Sequence, residues 1–209
     1  MTATTSQGAR VRLTPEERRS QLLDLGVRLL ATRSIDELSI DLLAEQAGIS
    51  RGLLYHYFGN KHAFHEAVIR RAAEDLIAQT APPAEGEPLG RLLISVTAYL
   101  DYVLANYEGY LSLVKGAAGG NETLRQIYTE ARSALTDRIF REDAQGEIIP
   151  DTAVSRLLVR GWGAMTEELV LTWVLDPAGV TRDELLAMIT TSLPALVVAL
   201  PDVPPGAAA

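Results

Sequence analysis

Apolar residues first fall into step at Leu22, Leu25, Gly26, Leu29 and Leu30, whose three- and four-residue spacing places them on one side of a helix. Thr14-Pro15-Glu16-Glu17 opens that helix with an N-cap threonine, proline at the first helical position and a capping-box glutamate. Ser39 is predicted to cap a short second helix carrying Ile40, Leu43 and Ala44, and Ser50 a third. Asn60 caps a fourth, which runs through Phe64, Ala67, Val68 and Leu76 to about Gln79. The proline-rich APPAEGEP, 81–88, is a break. Beyond it Leu89, Leu92, Leu93, Val96, Leu100, Val103, Leu104 and Tyr107 form one long stripe, and a turn is predicted at Gly116 to Gly120. Asn121 opens a helix with Leu124, Ile127, Tyr128, Ala131, Leu135 and Ile139. Asp151 starts another that continues to about Leu175. Thr181-Arg182-Asp183-Glu184 is a second capping box, leading into Leu185, Met188, Ile189 and Leu193, and Pro194 is predicted to kink or end that helix. No strand-like alternation and no internal repeat occurs, so the fold class is all-α. The organisation read from these breaks is a flexible arm 1–12, a helical head 13–60, a connecting helix 61–80, a larger helical body 81–200 and a flexible tail 201–209.

Composition narrows the class. With 209 residues, 47% hydrophobic and 22% charged, the chain is long enough for a substantial core and reads as globular. Absence of cysteine removes disulfides, thiolate metal sites and cysteine nucleophiles. The start, MTATTSQGARVR, lacks the apolar core of a signal peptide, and no apolar run approaches the roughly 18 residues of a membrane span, so a cytoplasmic location is expected. The formal charge of −8 is unevenly spread: residues 1–71 hold ten Arg/Lys against eight Asp/Glu, and the remainder nine against nineteen. The less acidic end is where a polyanion would bind.

That end contains SIDLLAEQAGISRGLLYHYFGNKHAF, residues 39–64. Two helices joined by a turn of three or four residues can set the second into the major groove of DNA. Ala44 is small where the second helix must cross the first, Gly48 accepts a positive φ in the turn, and Ile49 and Leu54 are placed to anchor the pair. The helix start capped by Ser50 presents free N–H groups to phosphate. Arg51, Gly52, Leu53, Tyr55 and His56 are expected to point outward. Arg51 suits guanine O6 and N7, Leu53 a thymine methyl, and Tyr55, Tyr57 and Lys61 phosphate oxygens, while Gly52 lets backbones approach. An αα-corner without DNA would share the glycine turn. Tyr57 and Phe58 also fit a core, which is the preferred reading for Phe58. Arg10 and Arg12 fit either a minor-groove arm or a solvated tail.

AGISRGLLYHYFGNKHAFHEAV resembles the DNA-binding head of the TetR family of bacterial transcriptional regulators, with Gly48, Leu54, Tyr55, Tyr57, Phe58 and Lys61 matching its pattern. The likeness covers about residues 14–70 and is one of helix order beyond. It implies a nine-helix homodimer with a small head and a divergent ligand-binding body, and DNA contacts at Ser39, Arg51, Gly52, Leu53, Tyr55, His56, Tyr57 and Lys61. Leu53 stands where many members carry a hydroxyl residue and Asp41 where some carry a basic one; both bear on base preference rather than on the mode of binding.

In the body, the last two helices, 151–175 and 181–199, are the expected dimer interface. Leu169 to Leu175 is apolar on every side, which predicts burial all round by its own core and a partner, and Leu196-Val197-Val198 extends a similar surface. Two-fold symmetry would set two recognition helices about 34–36 Å apart on a near-palindromic operator. Tyr99, Tyr107, Tyr110, Trp162 and Met165 lie on or beside apolar stripes, as a small-molecule cavity or a plain core would have them. Glu168 falls on the wheel with Leu157 and Gly161 inside the apolar sector, whereas Glu167 falls with Arg156 and Arg160 on the polar one. A buried Glu168 would need an arginine, a dimer partner, or a cationic or hydroxylated ligand. His62-x-x-His65 with His56 lacks an acidic ligand on the same face, so exposed or DNA-facing histidines are expected rather than a metal site. Lys115-Gly116-x-x-Gly119-Gly120 lacks the order of a phosphate loop, and no Gly-x-Ser-x-Gly occurs. The expected protein has no cofactor and no catalytic residue. It is a dimeric repressor that binds double-stranded DNA and is released by a small-molecule effector. A constitutive DNA-binding regulator and a helical small-molecule-binding protein or enzyme are the rivals.

Overall fold

Capping chemistry sets where the helices begin. Thr14 Oγ1 accepts from the Glu17 N–H at 3.2 Å while the Glu17 carboxylate accepts from the Thr14 N–H at 2.7 Å, and Thr181 and Glu184 repeat the arrangement. Ser39, Ser50, Asn60, Asn121 and Thr152 each cap a helix through a single side-chain acceptor. The computed structural model describes residues 13–143, 146 and 149–200. Among these residues there are nine helices and no strand: α1 (Pro15–Leu30), α2 (Ile40–Ala47), α3 (Arg51–Phe58), α4 (Lys61–Gln79), α5 (Pro88–Ala105), α6 (Tyr107–Ala118), α7 (Glu122–Glu142), α8 (Ala153–Leu175) and α9 (Arg182–Val198). The arm 1–12, with Arg10 and Arg12, and the tail 201–209 lie outside the described residues.

Three expectations change. The stripe from Leu89 to Tyr107 is not one helix. Asn106 leaves helical geometry at φ −128°, ψ 30°, and its side-chain amide donates to the Tyr102 carbonyl, so the chain turns there and α6 begins. That helix continues through Gly116, and the turn is confined to Gly119 and Gly120. Pro194 does not end α9, which runs on to Val198; its missing N–H forfeits one intrahelical bond without stopping the helix.

One core joins head and body. Leu22, Leu30, Leu43, Leu54, Phe64 and Val68 of α1–α4 pack in the same buried cluster as Leu113, Leu124, Ile127 and Ala131 of α6 and α7. A second cluster, among α5, α7, α8 and α9, centres on Leu100, Val103, Val159, Val170, Leu185 and Ile189. Helices α1 and α4 touch closely: a Cβ on Gly26 would lie 2.6 Å from Val68 Cγ2.

Candidate nucleic-acid interface and an internal cavity

The corner between α2 and α3 follows from one residue. Gly48 sits at φ 63°, ψ 36°, a left-handed conformation that costs glycine little, and the next N–H, of Ile49, returns to the Ala44 carbonyl at 3.0 Å. Ala44 and Leu54 are buried between the helices, and Ile49 packs partly against them. On α3, Arg51, Gly52, Leu53, Tyr55 and His56 are all exposed, as is Lys61 at the start of α4. Ser39 and Ser50 spend their hydroxyl oxygens on capping, accepting from Leu42 N and Leu53 N. The ring of Tyr57 is half-buried against the head core and edge-on to His56. Phe58 is buried, with the Arg19 guanidinium over its ring at 5.2 Å. Asp41, on α2, pairs with Arg51 through Nε, and both side chains are exposed.

His65 departs from its expected exposure. It turns inward, with Nε2 against the Leu38 carbonyl, and ties α4 to the segment before α2. Burial holds its pKa below the ordinary histidine value, opposed by the bond to Leu38.

In the body, a cavity of about 590 Å³ lies among α5, α6, α7, α8, α9 and the segment that joins α4 to α5. Tyr99, Tyr110 and Trp162 line it; Tyr107 and Met165 do not, and pack instead against the second core. Glu168 is corrected outright. It is exposed and only approached by Thr172 Oγ1 at 3.4 Å, while Glu167 is the buried carboxylate, 8% exposed, and lines the cavity. The reason lies in the sector itself. Leu157, Gly161, Ala164 and Glu168 do share an apolar side of α8, but that side is the outer surface of the chain.

Glu167 is saturated by its neighbours. It accepts from the Tyr110 hydroxyl at 2.8 Å, from the Tyr128 hydroxyl and from Arg132 Nη1 at 3.3 Å. The Tyr99 hydroxyl joins Tyr110 at 2.8 Å, and burial pushes the Tyr99 and Tyr110 hydroxyls well above the usual tyrosine range. Sequence reasoning missed Arg132, Tyr128, Ser95 and Thr166. The signal available was Tyr128 and Arg132 four residues apart beside the apolar stripe of α7. Ser95 and Thr166 belong to the cavity lining, and their hydroxyl oxygens are buried and without a hydrogen-bond partner. Unpaired buried hydroxyls beside an apolar cavity suit a ligand with hydrogen-bonding groups.

No helix among the described residues is long and apolar enough to cross a membrane. Residues 22–68 match the family described as bacterial regulatory proteins, tetR family, and residues 88–196 match the tetracyclin repressor-like C-terminal domain. A tetR-family transcriptional regulator from Streptomyces coelicolor is 33% identical, with a TM-score of 0.77 over 88% of this chain and 82% of that one. The HTH-type transcriptional activator FasR of Mycolicibacterium smegmatis is 27% identical over 131 residues, 62% of this chain and 60% of that protein. A transcriptional regulator from Saccharomonospora viridis, solved in complex with choline, shares the fold at 18% identity, with a TM-score of 0.65 over 88% and 97% of the two chains.

Proposed function

The chain belongs to the TetR family of bacterial transcriptional regulators, which are DNA-binding helix-turn-helix proteins rather than enzymes, and from that premise we propose that it is a cytoplasmic homodimeric repressor released from its operator by a small molecule. Arg51, Gly52, Leu53 and His56 read and approach the bases, Lys61 and the Tyr55 and Tyr57 hydroxyls hold phosphates, and the starts of α2 and α3 at Ser39 and Ser50 face the backbone. The observation that carries the effector is the body cavity with its two unpartnered hydroxyls, Ser95 and Thr166.

Helix α6 supports a link between cavity and head. Tyr110 faces the cavity, while the adjoining Gly109 lies so close to α1 that a Cβ there would be 3.0 Å from Leu30 Cβ and from the Leu30 carbonyl. Two residues after Tyr110, Ser112 Oγ accepts from the Ile35 N–H at 3.2 Å. A ligand that moves Tyr110 therefore acts on the end of α1 within one turn of α6. Near-complete reversal of a two-state population needs about 5.5 kcal/mol of differential binding.

Binding of labelled upstream DNA, followed by anisotropy, tests the reading. Operator affinity is expected to fall about 10³- to 10⁵-fold between 50 and 200 mM salt if six to ten phosphates are neutralised. Replacing Tyr55 by Phe together with Lys61 by Ala is expected to weaken it further without loss of fold. Deleting the gene should raise transcription from the controlled promoter, whereas a fall would make the protein an activator. Salt-independent binding, or indifference to every duplex including its own upstream region, would remove the assignment.

A further inference from the structure

Three arginines line the cavity, and two of them have an ion-pair partner. Arg132 is matched by Glu167, and Arg91 by Glu142. Asp143 accepts from the Ile149 N–H at 2.8 Å, and Glu87 stands exposed on the rim. Arg138, half-buried on α7 and also lining the cavity, contacts only neutral groups: Thr80 Oγ1 at 3.2 Å and the Ile77 carbonyl. Burial, with Arg141 adding like charge, holds the Arg138 pKa below the usual arginine value, opposed by the Glu142 carboxylate, which acts from beyond ion-pair distance and is itself paired with Arg91. A partly desolvated guanidinium with five N–H donors and no carboxylate partner is a standing demand for an anion.

The rest of the lining is largely aliphatic, with Leu92, Val96, Leu135, Ile139, Val159 and Leu193. The lining residues of α7 run from Arg132 to Glu142, which makes the cavity roughly 15 Å long on that side. A cation entering the cavity meets Glu167 already bound by Arg132 and two tyrosine hydroxyls, Glu142 paired with Arg91 and Asp143 accepting from the Ile149 N–H, with Glu87 exposed at the rim. We propose that the effector is an amphipathic carboxylate, its apolar chain in the aliphatic lining and its anionic end on Arg138.

This deepens the effector reading and rests on it. Arg138 also gives the effector a grip on the head, since Ile77 and Thr80 form the C-terminal end of α4, the helix whose other end follows the recognition helix. A carboxylate that takes the guanidinium competes with the Ile77 carbonyl and the Thr80 hydroxyl and loosens that end of α4.

Calorimetric titration of the intact protein with decanoate, 1-decanol and decyltrimethylammonium tests the proposal. Decanoate is expected to bind at least tenfold more tightly than decanol, with the cation weakest. Arg138→Met is expected to lower decanoate affinity at least tenfold and leave decanol within about twofold, with a circular-dichroism melt checking the fold. The wild-type preference needs no variant and stands if Arg138→Met fails to fold. Equal binding of decanoate and decanol, tightest binding of the cation, or no binding of decanoate overturns the carboxylate class while leaving the cavity open to another effector. Gly163→Leu separates the two failures. Gly163 lines the cavity, and a Cβ there meets only Arg132 Nη2, at 4.0 Å. Decanoate binding abolished by Gly163→Leu supports the site. Binding that survives the filled cavity locates the ligand elsewhere and removes both the proposal and the cavity as effector site.

Discussion

At the scale of single residues, Glu167 and Glu168 are one position apart and have opposite environments. Glu167 draws together α6, α7 and α8 by accepting from Tyr110, Tyr128 and Arg132, and its side chain is 11% exposed. Removing the acceptor strands three donors in a poorly solvated place, and breaking a buried ion pair by deleting one partner costs several kcal/mol. Glu167→Leu is therefore expected to lower unfolding stability by about 2–4 kcal/mol, less than a fully buried pair because Arg132 remains partly in water. Glu168→Ala should change it by less than about 0.5 kcal/mol at fixed protein concentration. Urea unfolding of both variants measures the contrast; equal losses would mean that Glu167 is no more tightly held than its neighbour. This pair also marks a limit of reading the chain alone. Periodicity identifies an apolar sector but not whether that sector meets the chain's own core or faces outward, and on α8 the choice falls the second way.

At the scale of elements, most helix starts were legible because capping is local chemistry: Thr14, Ser39, Ser50, Asn60, Asn121 and Thr181 all cap as the sequence indicates. The break at Asn106 was not, since the apolar stripe runs past it to Tyr107 and the interruption depends on one amide reaching back to Tyr102. The recognition corner was legible for a similar local reason, the single left-handed Gly48. By contrast, the cavity joins side chains from helices distant in sequence; Tyr128 and Arg132 at four-residue spacing give a faint local sign, while Arg138 and Thr166 have none. Tertiary placement also governs His65, whose bond to Leu38 joins α4 to the loop before α2. Its folded pKa lies below the ordinary 6.5, so below that pH the unfolded chain takes up a proton that the folded head resists. The contribution is thus intact above about pH 6.5 and is lost as the pH falls beneath it. Thermal melts between about pH 5.5 and 7.5 should show stability declining with acid, and His65→Gln, which retains an N–H donor without titrating there, should flatten the decline. An unchanged slope would assign the pH dependence to other groups.

At the scale of the whole molecule, a single chain leaves an apolar surface uncovered. On α8, Val154, Leu157, Gly161, Ala164, Glu168 and Leu175 are exposed at three-, four- and seven-residue spacing, with Leu157 69% and Leu175 71% exposed. On α9, Met188, Thr191, Ala195 and Val198 continue the exposed surface, Val198 at 87%. A surface on which two helices each present a stripe, with Gly161, Ala164 and Ala195 small enough for close approach, is suited to packing against its own copy about a two-fold axis. That is the same pair of helices expected from sequence to form the dimer, although the Leu169–Leu175 segment is not buried all round within one chain, since Thr172 and Leu175 lie outside. Leu157→Glu places a charge at the middle of such an interface, at a position where it disturbs no contact of the folded protomer's core. The variant is expected to sediment as a monomer with unchanged helicity. Its affinity for a full operator should drop by a factor of 10² to 10⁴, because the second half-site is no longer reached at high effective concentration, while binding to an isolated half-site stays the same. A Leu157→Glu protein that remains dimeric would move the interface off α8, and one that turns monomeric yet still binds the full operator at wild-type strength would separate DNA recognition from two-fold symmetry.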